Sequence, residues 1–358
     1  MTHQPSEEAI ALLKNLISIT SFSKMEDKTA DAIEAYLKQK KVKTQRLKNN
    51  IWAKNKFFDL GKPTILLNSH HDTVQPNTQY TKNPFQPIVE DAKLFGLGSN
   101  DAGGALVSLM QCFLYFYERT DLNFNLIYTA TAEEEISGLD GVEIVLPHLG
   151  KIDLGIVGEP TQMNIAIAEK GLFVIDCVAH GISGHAAREE GDNAIYQAMK
   201  DIEWFRNYEF PKVSETLGKV KMTVTVINAG NQHNVVPDTC HFTVDIRTTD
   251  EYSNKDVLEE IKRHVKCDVQ PRSFRLNSSF VSKEHPLVKI GAEMGRKLYG
   301  SPTSSDQALM NFPTFKMGPG DSARSHTADE YIYLHEIETG IALYIKMLEH
   351  YNEVINNH

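Results

Sequence analysis

Two residues separated by one position, His70 and Asp72 in Leu67-Asn68-Ser69-His70-His71-Asp72-Thr73, open an ordered series of metal-type ligands. Asp101, Glu134-Glu135, Glu159 and His326 follow in that order. Imidazole with carboxylate suits zinc and its first-row neighbours, cobalt and manganese among them. The series holds more ligands than one tetrahedral ion needs, which points to two divalent ions sharing a bridging group, an arrangement suited to hydrolysis.

Each group has a specific chemical use and a plainer alternative. A histidine that presents one nitrogen to a metal needs a partner on the other, and Asp72 can fix that tautomer. On an extended strand the two side chains point to the same side, while His71 between them faces away and reads as structural. Asp101, in Gly98-Ser99-Asn100-Asp101-Ala102-Gly103-Gly104, is either a helix cap or a bridging carboxylate at a helix start. Glu133-Glu134-Glu135 follows the apolar run Leu126 to Ala130. Of two adjacent carboxylates, one can bind a cation while the other takes a proton from an acidified water and passes it to the leaving amine. Glu159, before Pro160, is a ligand or a turn residue, and His326 a ligand or a loop histidine.

The elements that must position these residues alternate between strand and helix, which indicates an α/β class with a mixed, largely parallel sheet. Ser6 can cap a first helix carrying Ile10, Leu13 and Ile17, and a second begins near Asp27 with Ile33 and Leu37 inward. Strands are expected at 51–53, 64–67, 126–130 and 153–157, with a helix over 103–117. His70, Glu134, Glu135 and Glu159 each lie just beyond an apolar strand, at the sheet edge where loops converge over a crevice. From about Gly171 the order becomes β-α-β-β-α-β, that of a ferredoxin-like α+β unit. The α/β pattern resumes after Ser282, with a helix expected over Leu287–Tyr299, a strand over Thr314–Met317 and a terminal helix from about His335. The expected organisation is therefore a discontinuous domain, 1–170 with 280–358, interrupted by an inserted domain, 171–279.

Composition narrows the function classes. The 358 residues exceed what one core supports, and the formal net charge of −10 disfavours nucleic acid and anionic membranes as partners. Four dispersed cysteines without Cys-x-x-Cys spacing fit a reducing compartment. The first eight residues show neither the basic nor the apolar region of a secretory signal, and no apolar run is long enough to span a bilayer. A cytoplasmic protein is expected.

Taken together, strand-His-x-Asp, Gly96-x-Gly98-x-x-Asp101, the paired glutamates, Gly158-Glu159-Pro160 and the late His326 resemble the M20 family of zinc-dependent peptidases and deacylases over essentially the whole chain. The resemblance implies that His70, Asp101 and Glu159 hold one zinc, and Asp101, Glu135 and His326 the other. Glu134 would serve as general base and acid, and Asp72 would orient His70. The inserted domain would be a lid and dimerisation domain, making a homodimer. Gly181-Ile182-Ser183-Gly184-His185 is similar to the segment whose histidine stabilises the oxyanion. Asn234-Val235-Val236-Pro237, with Asp245-Ile246-Arg247, resembles the lid motif, Arg247 offering a fork to a substrate carboxylate. Gly318-Pro319-Gly320 resembles the loop at the substrate's carboxylate, and Asp306, in Ser304-Ser305-Asp306, either touches substrate or caps a helix, the cap being the preferred reading. The chain departs from the family at Leu97, Ala102-Gly103, Glu133 and Ala186, none of which removes a ligand. The resemblance is nearest to the acetylornithine deacetylase subgroup, including relatives acting on N-acylcitrulline. It implies deacylation of a small N-acyl amino acid, N-acetylornithine or N-acetyl- or N-succinylcitrulline, in arginine biosynthesis. Alternatives within the family are succinyl-diaminopimelate desuccinylase and a dipeptidase or aminoacylase. A non-enzymatic scaffold is the alternative outside it.

Overall fold

The computed structural model describes residues 5–188 and 190–356. The chain divides into two compact units: one comprises the residues up to Ile167, Phe280–Tyr299 and everything from Ser305 onward, the other Ala168–Ser279 with Gly300–Ser304.

The first unit is built on a mixed sheet whose strands run, in spatial order, Thr44–Leu47, Asn50–Lys54, Asn125–Thr131, Thr64–His70, Leu154–Val157, Thr314–Lys316 and Ile165–Glu169. The four strands from Asn125–Thr131 to Thr314–Lys316 pair in parallel, and the flanking pairs are antiparallel. Thr64–His70 and Asn125–Thr131 are buried at every position. Strands covered on both faces carry unbroken apolar runs in place of alternation, as Thr64-Ile65-Leu66-Leu67 does. Helix Gly104–Phe116 is nearly all buried, and the terminal helix Leu334–Asn356 buries Ile337, Ile341, Tyr344 and Met347 in the same core. Because the four central strands are parallel, their C-terminal ends share one edge; His70 ends one of these strands, and the loops leaving that edge carry Glu134, Glu135 and Glu159.

The second unit is a four-stranded antiparallel sheet in the spatial order Lys221–Ala229, Thr239–Thr248, Gly171–His180, Asp268–Pro271. With helices Ala194–Asn207 and Asn254–His264 this is the β-α-β-β-α-β order of a ferredoxin-like unit. Gly171–His180 alternates buried and half-buried residues along its length, as expected when one face packs on helices and the other does not.

Three local expectations are corrected. The first helix already contains Pro5, so Ser6 sits inside its first turn and does not cap it; proline's fixed φ suits that opening position. The helix expected over Leu287–Tyr299 spans only Pro286–Glu293, and Leu298–Ser301 is a strand. Gly295, at φ +79°, is the cause: it turns the chain left-handed, and the Arg296 N–H closes on the Gly291 carbonyl. Asp306 is not a cap. Ser305 caps the short turn there, while Asp306 is buried and accepts bonds from Asn68 and Thr131. Among the described residues no helix is long and apolar enough to cross a membrane.

Candidate metal centre

His70 ends its strand with its ring wholly buried. Its Nδ1 lies 3.0 Å from the carbonyl oxygen of Asp72 and 3.4 Å from Asp72 Oδ1. The nearer tautomer-fixing acceptor is therefore the Asp72 backbone, with the carboxylate beside it. An Nδ1–H donated there leaves the Nε2 lone pair for a cation. Nε2 is buried without any hydrogen-bond partner. It faces Asp101 Oδ1 at 3.5 Å, Glu134 Oε2 at 3.9 Å and Glu159 Oε1 at 3.9 Å. An orphaned buried nitrogen ringed by three carboxylates is the arrangement a cation completes.

Two trios of ligand atoms, each mutually within 4.8 Å, can hold an ion: His70 with Asp101 and Glu159, and Asp101 with Glu135 and His326. They share Asp101. His326 Nε2 lies 3.0 Å from Glu135 Oε2 and 3.6 Å from Asp101 Oδ2. Two imidazoles and three carboxylates, with one carboxylate common, fit a pair of first-row divalent ions. Glu134 belongs to neither trio.

The electrostatics carry the mark of anions packed together. Burial pushes Glu159 up to about 8, helped by the Asp101 charge. Burial also holds Glu134 well above its ordinary value; His70 opposes this, and Glu159, Asp306 and Glu135 reinforce it. Burial alone would depress His70, yet the Glu134 charge and the neighbouring Asp101 and Asp72 carboxylates carry it well above an ordinary histidine. His326, hydrogen-bonded to Glu135, is pushed up to about 9. Like charges crowded this closely lose protons reluctantly until positive charge arrives.

Asp72 does more than face His70. Its Oδ1 accepts the Glu134 N–H, and its Oδ2 accepts the Glu135 N–H and the Ser23 hydroxyl. Glu26, fully buried, accepts the N–H groups of Lys24 and Glu133 and the Asn49 amide. His71 is buried as a structural residue, Nε2 on the Asn49 carbonyl and Nδ1 beside Thr29; burial depresses it to about 4.

Gly318 and Gly320 are buried, and their close approaches are to protein. A Cβ on Gly318 would stand 2.5 Å from the Glu159 carbonyl oxygen, and one on Gly320 (φ +95°) 2.5 Å from Asn100 Oδ1. The missing side chains let this loop lie against the Glu159 and Asp101 segments.

His185, Asn234 and Arg247 belong to the second unit. His185 lies in a two-residue strand paired with Val235–Val236, and its Nδ1 accepts the Ala187 N–H. Asn234 is exposed, and its carbonyl accepts the Ala186 N–H. Arg247 closes a two-bonded fork on Asp245, 2.8 and 3.1 Å.

The residues missed in the sequence are those that brace the segments of the candidate ligands without belonging to either trio: Ser23, Glu26, Asn100 and Glu330. Glu330 had one readable signal, an acid immediately before the apolar-aromatic run Tyr331-Ile332-Tyr333, where burial would demand a partner.

The chain matches the family described as Peptidase family M20/M25/M40 over residues 66–350. It is similar to a [LysW]-lysine/[LysW]-ornithine hydrolase of Saccharolobus solfataricus, 27% identical over 356 residues and 96% of each chain. An uncharacterized metallohydrolase of Methanocaldococcus jannaschii is 25% identical over 300 residues, 80% of this chain and 82% of that one. Its fold is that of the aminopeptidase PepT of Bacillus cereus (TM-score 0.77, 18% identity, 96% and 98% of the two chains). It is also that of a dinuclear metal-binding M20 peptidase of Bacillus subtilis (TM-score 0.75, 17% identity, 98% and 99%). The chain belongs to the peptidase family M20/M25/M40 and is a metal-dependent hydrolase of amide bonds.

Proposed function

We propose that the protein is a dinuclear amidohydrolase that removes the N-acyl group from an N-acyl amino acid, with ornithine, lysine or citrulline as the amino-acid half. The observation that carries this reading is the buried, unpartnered His70 Nε2 facing Asp101 and Glu159, beside a second trio that shares Asp101. Ornithine and lysine are favoured because the [LysW]-lysine/[LysW]-ornithine hydrolases, similar over 96% of the chain, are named for those amino acids. N-acetylornithine and N-acetyl- or N-succinylcitrulline are the first candidates, and arginine biosynthesis the setting.

His70, Asp101 and Glu159 would hold one divalent ion, and Asp101, Glu135 and His326 the other, zinc first, with cobalt or manganese compatible with the same donors. When bound, the ions supply positive charge to the acyl carbonyl and an acidified water. The rest is done by side chains. Glu134, outside both trios and held reluctant to ionise, takes the proton of the attacking water on its carboxylate and returns it to the amide nitrogen. The C–N bond breaks, leaving a carboxylic acid and a free amine. Asp72 fixes the His70 ring and the Glu134–Glu135 backbone together. His185 is assigned the developing oxyanion: with Nδ1 accepting from Ala187, Nε2 carries the donor proton. By their motifs, Arg247 and Asn234 are assigned to substrate binding, as are Gly318 and Gly320.

The second unit is assigned the roles of lid and homodimer contact. Its edge strand Lys221–Ala229 exposes Val226 and Ile227, apolar residues that a partner strand would cover. The four cysteines are reduced and buried, in keeping with a cytoplasmic setting.

The test is amine release from zinc-loaded protein offered N-acetylornithine, N-acetylcitrulline, N-succinylcitrulline, N-succinyl-diaminopimelate and a dipeptide, with Glu134→Ala as blank. Preference for an ornithine or citrulline derivative supports the reading. Preference for the diaminopimelate derivative or the dipeptide would replace the substrate class and keep the centre. No release from any of the five, with metal bound, would overturn the N-acyl amino acid assignment.

A further inference from the structure

Glu330 belongs to neither ligand trio and is 2% exposed. Its carboxylate collects three backbone N–H groups from one loop: Gly98 on Oε2 at 3.0 Å, and Asn100 and Asp101 on Oε1 at 2.8 and 2.9 Å. Its own carbonyl accepts the Gly96 N–H at 3.0 Å. The tie is returned from the other side. Asn100 Oδ1 accepts the Asp321 N–H at 2.9 Å, and its Nδ2 donates to the Asp321 carbonyl at 3.0 Å. The loop Gly96–Asp101 and the segment Asp321–Glu330 are thus cross-braced at both ends. Asp101 sits on the first and His326 on the second.

Burying a carboxylate is expensive unless its hydrogen bonds are met. Here they are met by the backbone of the loop that supplies the shared ligand. An apolar side chain could fill the same volume but could not specify where the Asp101 N–H points. His326 needs such a brace, because its segment is not anchored in the sheet as His70 is, and it holds a left-handed φ of +59°. A residue other than glycine keeps that conformation only where its surroundings enforce it. Asp329 adds to the enforcement, accepting the N–H groups of Thr81 and Lys82 at 2.9 Å each.

We propose that Glu330 is a positioning residue that sets the spacing between Asp101 and His326, and through it the affinity of the Asp101–Glu135–His326 trio for a divalent cation. The inference rests on the dinuclear reading above. It predicts selectivity: Asp101 is common to both trios, but His70 ends strand Thr64–His70 and Glu159 lies two residues past strand Leu154–Val157, outside the brace, whereas the second trio has both Asp101 and His326 on the braced segments and should be weakened more by its loss.

The experiment is titration of metal-free wild type, Glu330→Ala and Glu330→Gln with cobalt(II), read by visible absorption and by bound stoichiometry. Wild type should take up two cations. In Glu330→Ala the second should bind about 10- to 100-fold more weakly, the range for lost support behind a metal ligand, with the first within about 3-fold. Glu330→Gln should fall between, since its amide oxygen keeps the Asn100 and Asp101 N–H groups while its NH2 faces that of Gly98. If Glu330→Ala does not fold, Glu330→Gln and Asn100→Ala carry the same comparison. Folded variants that bind both cations as wild type does, or that weaken both equally, would overturn the inference. A wild type that takes up only one cation would overturn the dinuclear reading and this inference with it.

Discussion

Asp72 accepts the backbone N–H of Glu134 at 3.1 Å, while its own carbonyl oxygen lies 3.0 Å from the His70 ring. One residue therefore ties the candidate histidine ligand to the peptide that carries the proposed proton shuttle. The His-x-Asp spacing puts it beside the ring, and the parallel pairing of Thr64–His70 with Asn125–Thr131 brings the acidic loop to the same edge. Asp72→Asn keeps the size but replaces one acceptor with an NH2 that confronts a backbone N–H. Turnover should fall about 100-fold or more, and cation affinity by about 10- to 100-fold. Steady-state kinetics with metal analysis checks this; near-normal turnover with normal metal content would show that the carboxylate positions nothing that matters.

Glu134 provides a sharper separation of binding from chemistry. It lies outside both ligand trios, so Glu134→Ala should keep two cations while losing turnover by about 100- to 10,000-fold, the usual share of a proton shuttle. Loss of metal in parallel with activity would instead make Glu134 a ligand.

The candidate ligands other than His326 stand just past an apolar strand or in a glycine-flanked turn, patterns that local sequence records, and the structure brings them with His326 into two trios. Gly295 is a helix stop that the expected helix over Leu287–Tyr299 runs through. The bracing residues were not legible. Ser23 reaches Asp72 across 49 positions, and Glu330 reaches Asp101 across 229. Such partners are set by how strands stack, and no local spacing encodes that. Asp306 was misread for the same reason: its neighbours Asn68 and Thr131 lie on two other strands, and a serine-serine-aspartate run read alone resembles a cap.

Metal uptake should release protons. His326 is pushed up to about 9 by its bond to Glu135, and Glu159 up to about 8 by burial. Both must give up a proton to bind a cation, so affinity should climb as pH rises through that range. The metal-free protein should show the opposite trend in stability. Groups whose folded values are raised stabilise fully below their unfolded values, and that contribution falls as pH climbs from there and is gone once pH passes the folded values of about 8 and about 9. Calorimetric titrations in buffers of different ionisation heat count the protons; uptake without release would contradict the charge arrangement.

Acid should act on the fold through His71. Its ring is buried between Thr29 and the Asn49 carbonyl, and burial depresses it to about 4. An unfolded chain would bind that proton near an ordinary histidine's value of about 6.5. The neutral ring therefore contributes stability that is complete above the unfolded value and disappears as pH falls through the folded one. The difference corresponds to roughly 3 kcal/mol between pH of about 7 and about 4. His71→Gln should lower stability at neutral pH, because the Asn49 bond is disturbed, yet flatten its decline between those limits. Denaturant unfolding of the metal-free pair across that range isolates the effect, since cation loss in acid cannot then contribute. Parallel declines in the two proteins would mean that the acid sensitivity lies elsewhere, with the buried carboxylate bonded to Ser23 and His70 at Asp72 the next group to remove.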